Sequence, residues 1–142
     1  IMIIVTPCIN LNGRCEEAMA LYEKAFGATT RFMMRYSDAD KRDWNKPLTD
    51  DQKRMIYHAE MFIGNQRIMF SDIVEFDLSK GISLFLTLTF EDAVSVKRAY
   101  EVLKEGSTIV YPMVSTTYST CFVSVIDKFG VRWGLMTEQT DK

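Results

Sequence analysis

The chain has 142 residues, of which 47% are hydrophobic and 25% charged, the composition of an ordinary globular domain with a buried core. Its net charge of −2 argues against a nucleic-acid partner, and no apolar run approaches the roughly 20 residues that span a bilayer. The apolar run at residues 1–5 is too short for the hydrophobic region of a signal peptide, so we expect none, and the three cysteines lack C-x-x-C spacing. We therefore expect a cytoplasmic protein with reduced, buried thiols and no membrane partner.

The first half of the chain predicts a strand, a helix and three more strands. The helix runs from about residue 14 to 26, because apolar residues recur there at a spacing of three to four and the first turn carries Glu16 and Glu17. Gly27 follows as the expected left-handed cap. The four strands are predicted at residues 3–11, 29–36, 58–63 and 67–72, the last two as a hairpin.

A long polar segment, residues 37–55, separates the second strand from the hairpin. It is dense in alternating charges and contains Trp44 and Pro47. A structureless loop of this length is uncommon in a compact domain. Its role is open between a lid, a dimer contact and a mobile, solvated segment.

The second half repeats the order of the first, with residues 21–28 echoed in residues 99–106. Thr89-x-x-Asp92 resembles a capping box for a second helix, which ends at Gly106. Internal repeats indicate architecture, so the chain predicts two βαβββ modules at about 1–75 and 81–138. Residues 74–80 join them into a single domain covering 1–142. The strands of the second half are predicted at residues 82–90, 108–112, 121–126 and 131–137.

Several motifs keep their order over the whole chain. They are Thr6-Pro7, Asn12-Gly13-Arg14-Cys15-Glu16-Glu17-Ala18, His58-Ala59-Glu60, Ile68-Met69-Phe70-Ser71-Asp72 and Asp127-Lys128-Phe129-Gly130-Val131-Arg132-Trp133. With the duplicated βαβββ order, they resemble the PhnB-like branch of the vicinal-oxygen-chelate superfamily, the group of glyoxalase I, the bleomycin-resistance proteins and the extradiol dioxygenases. The resemblance implies an α+β fold in which two concave, antiparallel-rich mixed sheets form a glyoxalase-like cup with helices outside. It also implies a homodimer.

In metal-dependent members of that superfamily, four inward residues on the first and last strands of each module hold the ion. Carried over by position, they fall near Pro7, Met69, Ser83 or Phe85, and Gly134. None of these is His, Glu or Asp, whereas divalent cations bind through nitrogen and oxygen donors. We therefore expect no metal site and no cofactor. Some relatives carry a methyltransferase label, but no glycine-rich nucleotide loop supports that chemistry here.

Strand periodicity selects the candidate site. His58, Glu60 and Phe62 share one face of the hairpin, which should line the cup together with Met69 and Ser71, while the alternate residues lie under the first helix. His58 is the only histidine, and with Glu60 it is the best candidate for a catalytic base and its orienting carboxylate. A structural hydrogen bond and a dimer contact are equally compatible with the pair.

The second copy of the repeat has Cys121 and Val123 at the corresponding strand. Three further residues are candidates for the cavity. Tyr118 lies in a hydroxyl-rich run where many relatives have Phe-Trp-Ala, Trp133 packs in the core or at the cup wall, and Arg35 offers an anion a hydrogen bond or faces solvent.

These observations favour a protein that binds a small organic molecule in a mostly apolar cavity without the superfamily's metal. One alternative is a metal-dependent lyase, isomerase or dioxygenase whose ligands lie elsewhere. Another is an antibiotic-sequestering binder of the bleomycin-resistance type, for which Glu60 and Asp72 would supply an acidic groove. Whether the protein catalyses a reaction, and which ligand it binds, stays open.

Overall fold

The computed structural model describes residues 2–75, 78 and 83–138, and the chain divides into two compact units at residues 79 and 80. The first unit holds a four-stranded sheet in the order β1-β4-β3-β2, with β1 parallel to β4 and the other pairs antiparallel. Its elements are β1 (Cys8–Leu11), α1 (Cys15–Phe26), β2 (Thr29–Arg35), α2 (Asp50–Arg54), β3 (Ile56–Ile63) and β4 (Gln66–Asp72).

The second unit repeats this topology with the sheet order β5-β8-β7-β6, where β5 is parallel to β8. Its elements are β5 (Leu86–Phe90), α3 (Ala93–Leu103), β6 (Thr108–Val114), β7 (Phe122–Ile126) and β8 (Arg132–Thr137). Two βαβββ modules in an α+β fold are thus confirmed, together with the hairpin in each. None of the described helices has the length and apolar character needed to cross a membrane.

Some boundaries differ from the predicted ones. The first strand begins only at Cys8, and the strand predicted at 82–90 begins at Leu86, while residue 82 lies outside the described residues. The helix predicted in the second half is α3, and it is capped by Asp92 rather than by Thr89, since the Asp92 carboxylate accepts a hydrogen bond from the Ser95 amide at 2.9 Å. Part of the predicted connection 74–80 is likewise outside the described residues.

The 37–55 segment is not structureless. A short 3-10 turn, Tyr36–Asp38, follows β2, and α2 ends the segment. The Thr49 hydroxyl accepts from the Gln52 amide at 3.1 Å while the Gln52 side chain accepts from the Thr49 amide at 3.0 Å. This reciprocal capping box explains why so short a helix forms in a polar sequence.

In the first unit, α1 packs on β3 and β4. The alternate residues of the hairpin that the sequence assigned to this side are buried, as Ala59, Met61, Ile68 and Phe70 show. Tyr22 of α1 is also fully buried, with its ring centroid 5.9 Å from that of Phe70. Each large apolar side chain removed from water in this way contributes about 1.5–3 kcal/mol.

Asp72, at the end of β4, is a buried carboxylate that ties three segments together. Its Oδ1 accepts from the amides of Gly13 at 2.8 Å and Cys15 at 3.1 Å, and its Oδ2 accepts from the Ile56 amide at 2.9 Å. The hydroxyl of Tyr36 donates a hydrogen bond to the backbone carbonyl oxygen of Asp72 at 2.6 Å. Asp72 therefore joins the start of α1 to the start of β3. It shares the buried face of β4 with Ile68 and Phe70, so it cannot form a groove with Glu60, which pairs with Met69 on the other face.

The second unit also has a buried carboxylate in its core. Asp127 accepts from the amides of Phe129 at 2.9 Å and Val131 at 3.0 Å in the turn between β7 and β8. Its Oδ2 accepts from the indole Nε1 of the fully buried Trp133 at 2.9 Å. Trp133 thus occupies the core, one of the two places that the sequence allowed.

The cysteines only partly follow the prediction. All three are free, and Cys15 and Cys121 are buried, but Cys8 is exposed on β1. The prediction of a buried thiol was wrong for Cys8 because it lies opposite Met69, on the face of the sheet away from the buried Ile68 and Phe70.

Candidate functional site

The sheet face opposite α1 carries the predicted hairpin residues of the first unit. Register places Glu60 opposite Met69 on β4 and opposite Phe32 on β2, so these side chains point to the same face. Met34 lies opposite His58 in the same way. The half-exposed members of this face, called here the open face, are Phe32, Met34, His58, Glu60, Phe62, Arg67, Met69 and Ser71.

His58, Glu60 and Arg67 form a hydrogen-bonded row on the open face. The His58 Nε2 lies 2.9 Å from the Glu60 Oε2. Arg67 donates to both oxygens of the same carboxylate, from Nε to Oε1 at 2.8 Å and from Nη2 to Oε2 at 2.7 Å. The Phe32 ring packs beside the imidazole with 5.9 Å between ring centroids. The predicted pairing of His58 with Glu60 is therefore present, with an arginine on the far side.

The contacts within this row lower the pKa of Glu60. The hydrogen bonds from Arg67, and then that from His58, lower the pKa of the Glu60 carboxyl to about 2. The same contact raises the pKa of Arg67. Near neutral pH, Glu60 is thus an acceptor-only carboxylate whose two oxygens are oriented by the guanidinium. Sequence periodicity did not identify Arg67, although a hairpin closed at residues 64–65 places it opposite Phe62 and diagonal to Glu60.

A cavity of about 410 Å³ adjoins this row. Its walls combine aromatic and thioether side chains with three polar ones. A neighbouring cavity of about 330 Å³ shares Asp43, Tyr57 and Ser71 with it and extends along the segment 43–46. The residues lining the first cavity are Phe32, Met34, Asp43, Tyr57, His58 and Ser71.

The segment before α2 therefore has a place in the site, because Asp43 borders both cavities. The rings of Trp44 and Tyr57 both meet the Tyr36 ring edge-on, at centroid distances of 5.1 and 5.3 Å. Lys46 reaches the Glu75 carboxylate at 2.6 Å. Burial, with the nearby Asp43 carboxylate, raises the pKa of Tyr57, so its hydroxyl stays protonated.

Only part of the predicted cavity set lies around this space. His58 and Ser71 line it, whereas Glu60, Phe62 and Met69 lie on the open face outside its lining. Phe62 lies under the guanidinium of Arg31, 4.8 Å from its ring centroid.

Arg35 belongs to the opposite side of the sheet. Its guanidinium donates to both Glu16 oxygens, at 3.0 and 2.8 Å, and to the Arg54 carbonyl at 2.7 Å. These contacts serve α1 and α2 and leave Arg35 away from His58 and Glu60. The remaining two candidates, Tyr118 and Trp133, lie in the second unit. Tyr118 is exposed there, with its ring edge-on to Phe122 at 5.9 Å.

Strand register corrects the comparison of the two copies. Met69 and Gly134 are equivalent positions, because each lies three residues before the last residue of β4 or β8 that pairs with the parallel strand. Glu60 pairs with Met69 in the first unit, and Ser124 pairs with Gly134 in the second. The counterparts of His58 and Glu60 are therefore Phe122 and Ser124, not Cys121 and Val123. The sequence comparison was displaced by one residue, which is enough to assign a strand residue to the wrong face.

The arginine of the row recurs in the second copy, where Arg132 takes the place of Arg67 in the register. Its Nε lies 3.4 Å from the Ser124 hydroxyl, and its guanidinium lies 4.1 Å from the centroid of the Phe85 ring. Because a serine replaces the carboxylate, Ser124 cannot supply the acidic member of such a row, and the described residues of the second sheet show no equivalent of it.

The positions implied for a superfamily metal do not suit one. Among residues 2–75, 78 and 83–138, no three His, Cys, Asp or Glu side chains are grouped so as to hold an ion. The register places Met69 beside Cys8 and Gly134 beside Thr87. The Cβ of any side chain at position 134 would lie 3.0 Å from the Thr87 hydroxyl and 3.2 Å from the Phe85 ring. This position therefore has little space for a side chain that could coordinate a metal ion.

Comparisons with known proteins agree with this architecture. No model of a known protein family matches the chain. Protein YjdN of Escherichia coli (strain K12) is 25% identical over 134 residues, which is 91% of each protein. The crystal structure of protein PA1353 from Pseudomonas aeruginosa matches with a TM-score of 0.83 and 25% identity, covering 96% of this chain and 98% of that one.

A PhnB protein from Bacillus cereus, described as a putative 3-demethylubiquinone-9 3-methyltransferase, matches with a TM-score of 0.71 and 26% identity over 94% of this chain and 98% of that one. A glyoxylase/bleomycin resistance protein/dioxygenase domain from Frankia sp. EAN1pec has a TM-score of 0.68 at 10% identity, with 98% and 99% covered, and shares the fold. The chain has the vicinal-oxygen-chelate fold and resembles its PhnB-like branch. Among the residues that the structure describes, the row of His58, Glu60 and Arg67 belongs to the first module.

Proposed function

We propose that the protein binds a small organic molecule in the cavity beside His58. The observation that carries the proposal is the 410 Å³ space whose walls include Phe32, Met34 and Tyr57. Sites for small ligands are concave spaces of about 300–1,000 Å³, with apolar and aromatic walls and a few polar groups that set orientation. Asp43, His58 and Ser71 are those polar groups here.

The proposal includes binding without the superfamily's metal. Its support is the donor chemistry at the implied positions, where Met69 offers a thioether and Gly134 offers no side chain at all. Hard divalent cations select carboxylate, carbonyl and imidazole ligands instead. Elemental analysis of protein purified without chelators should find less than a stoichiometric amount of zinc, nickel, iron or manganese. One tightly held metal ion per chain would refute this part of the proposal.

Binding itself is tested by a thermal-shift screen against a defined panel of small phenols, amines, carboxylic acids and sugars, with affinities of hits measured by calorimetry. Phe32→Ala removes a half-exposed cavity wall, and we expect it to weaken each hit by about tenfold or more. Val94→Ala is the matched control, because Val94 is exposed on α3 in the other unit. Hits that bind the Phe32 variant as tightly as the parent would place the ligand elsewhere.

A further inference from the structure

The row of His58, Glu60 and Arg67 determines whether the imidazole that lines the cavity donates a hydrogen bond to a ligand or accepts one from it. The argument rests on the proposed function, since it names the ligand chemistry for the same cavity. Glu60 is an ionised carboxylate near neutral pH, so its oxygens only accept hydrogen bonds, and two hydrogen bonds from Arg67 hold it in place. The His58 Nε2, 2.9 Å away, must therefore carry the proton of that contact.

In a neutral imidazole only one nitrogen is protonated. With the proton on Nε2, the Nδ1 of His58 is left with a lone pair and acts as an acceptor. Within the part of the chain that the structure describes, Nδ1 has no hydrogen-bond partner, and its side chain is one-third exposed, at 33%. His58 lines the cavity, whereas Glu60 and Arg67 do not.

We infer that the Nδ1 of His58 accepts a hydrogen bond from the bound ligand, and that the ligand is a compound bearing an O–H or N–H donor on a small apolar body. Its apolar part lies against Phe32, Met34 and Tyr57, which line the same space. Ser71 reinforces this preference, because its hydroxyl donates to the Asn10 side chain at 2.9 Å and so presents its oxygen as an acceptor. Arg67 is a positioning residue, since it acts on the imidazole only through Glu60.

The tautomer can be read directly because His58 is the only histidine of the chain. A nitrogen-15 correlation spectrum of the imidazole, recorded at about pH 8 where histidine is ordinarily neutral, should show a protonated Nε2 and an unprotonated Nδ1. A predominant Nδ1–H tautomer in the parent protein would overturn the inference. In Glu60→Gln, whose amide can either donate or accept, both tautomers should appear, while the exposed control Glu91→Gln should leave the spectrum unchanged.

Two further variants test the indirect role of Arg67. Arg67→Lys keeps a positive charge beside Glu60 and should retain most of the Nε2–H tautomer. Arg67→Met removes the two hydrogen bonds that orient the Glu60 carboxylate; Glu60 stays ionised at pH 8 but is no longer held against Nε2, so a second tautomer should appear. A spectrum unchanged in Arg67→Met would exclude the positioning role, because a residue that only supports the fold would leave the tautomer as it is.

The ligand preference is tested with phenol and anisole, which differ only in replacement of the hydroxyl hydrogen by a methyl group. Phenol at millimolar concentration should shift the Nδ1 resonance of His58, and anisole should not. Equal shifts from both probes, or none from either, would refute the donor preference. If panel compounds still bind in a Phe32-dependent manner, the proposed function survives that refutation. If no panel compound binds either, both the inference and the proposed function fail.

Discussion

Arg67 and Glu60 are joined by two parallel hydrogen bonds across the β3–β4 hairpin, at 2.8 and 2.7 Å. The residues are diagonal neighbours on the open face, the relationship in which long side chains of adjacent strands still reach each other. This contact keeps Glu60 ionised to unusually low pH and fixes the position of the carboxylate that orients the only histidine of the chain.

Removing Arg67 should change the titration of Glu60. The hydrogen bonds from Arg67 are the largest cause of the Glu60 pKa of about 2, so Arg67→Met should raise that pKa toward the ordinary carboxyl value near 4.5. Carbon-13 titration of the Glu60 carboxyl measures the change directly. An unchanged midpoint would contradict the structural account of the pair.

The sign of the accompanying stability effect follows from the depressed pKa. Since Glu60 has a lower pKa in the folded chain than in the unfolded one, its ionised form favours the folded state above about pH 4.5. That contribution is lost as the pH falls toward 2. The difference in melting temperature between the parent and Glu60→Gln should therefore shrink on acidification below about pH 4.5. A difference that grows on acidification would have the wrong sign.

Asp72→Asn should be strongly destabilising. The amide nitrogen of an asparagine cannot accept a hydrogen bond, so either the amide of Ile56 or the pair of amides from Gly13 and Cys15 loses its acceptor. A buried donor left unsatisfied costs about 1–3 kcal/mol, which urea unfolding will detect. The matched control is Asp50→Asn, because the Asp50 carboxylate is exposed on α2, 3.8 Å from Lys53, and its loss should cost less than about 0.5 kcal/mol.

Gly27→Ala isolates the backbone cost of a left-handed helix cap. Gly27 ends α1 with φ 67° and ψ 25°, and a methyl group there would meet nothing within 4 Å. The free energy of unfolding should therefore fall by about 1–2 kcal/mol through backbone conformation alone, without a packing clash. Gly27→Asn should lose less, since asparagine tolerates this conformation better. Equal losses in both variants would show that the cap conformation is not the cause.

The three cysteines should differ in their reactivity because their exposure to solvent differs. Cys8 is exposed, whereas Cys15 and Cys121 are buried, and burial raises the pKa of both Cys8 and Cys15. A chromogenic aromatic disulfide should react with one thiol of the native protein, more slowly than with a free thiol because the thiolate fraction of Cys8 is lowered. All three should react in denaturant. Cys8→Ser should abolish the native reaction, and persistence of that reaction would assign it to another residue.

Much of the fold followed from local patterns. The apolar spacing predicted α1 to within one residue at its start, because a helix buries one stripe at every third or fourth position. Alternation likewise predicted which side of the hairpin Met61 and Phe70 bury. The short helix α2 was missed because its sequence is polar and its stability comes from the exchange of hydrogen bonds between Thr49 and Gln52.

The candidate site was less predictable. Periodicity brought His58 and Glu60 to one face, but nothing local indicated that Arg67 would hold Glu60 by both oxygens. The same limitation displaced the second-copy comparison by one residue, from Ser124 to Val123. Pairing between strands is decided by turn geometry and by small irregularities such as the register shift between Thr30 and Phe32, which a single strand pattern does not contain.

The sequence by itself determined the duplication, the two long helices α1 and α3 and the two hairpins, because each depends on residues close together in the chain. Only the tertiary structure decided that Asp72 is a buried tie between segments, that Arg35 serves Glu16, and that Asp43 joins His58 at one cavity. These outcomes depend on where long segments return in space, since a carboxylate binds whichever amide or guanidinium the strand register brings within 3 Å.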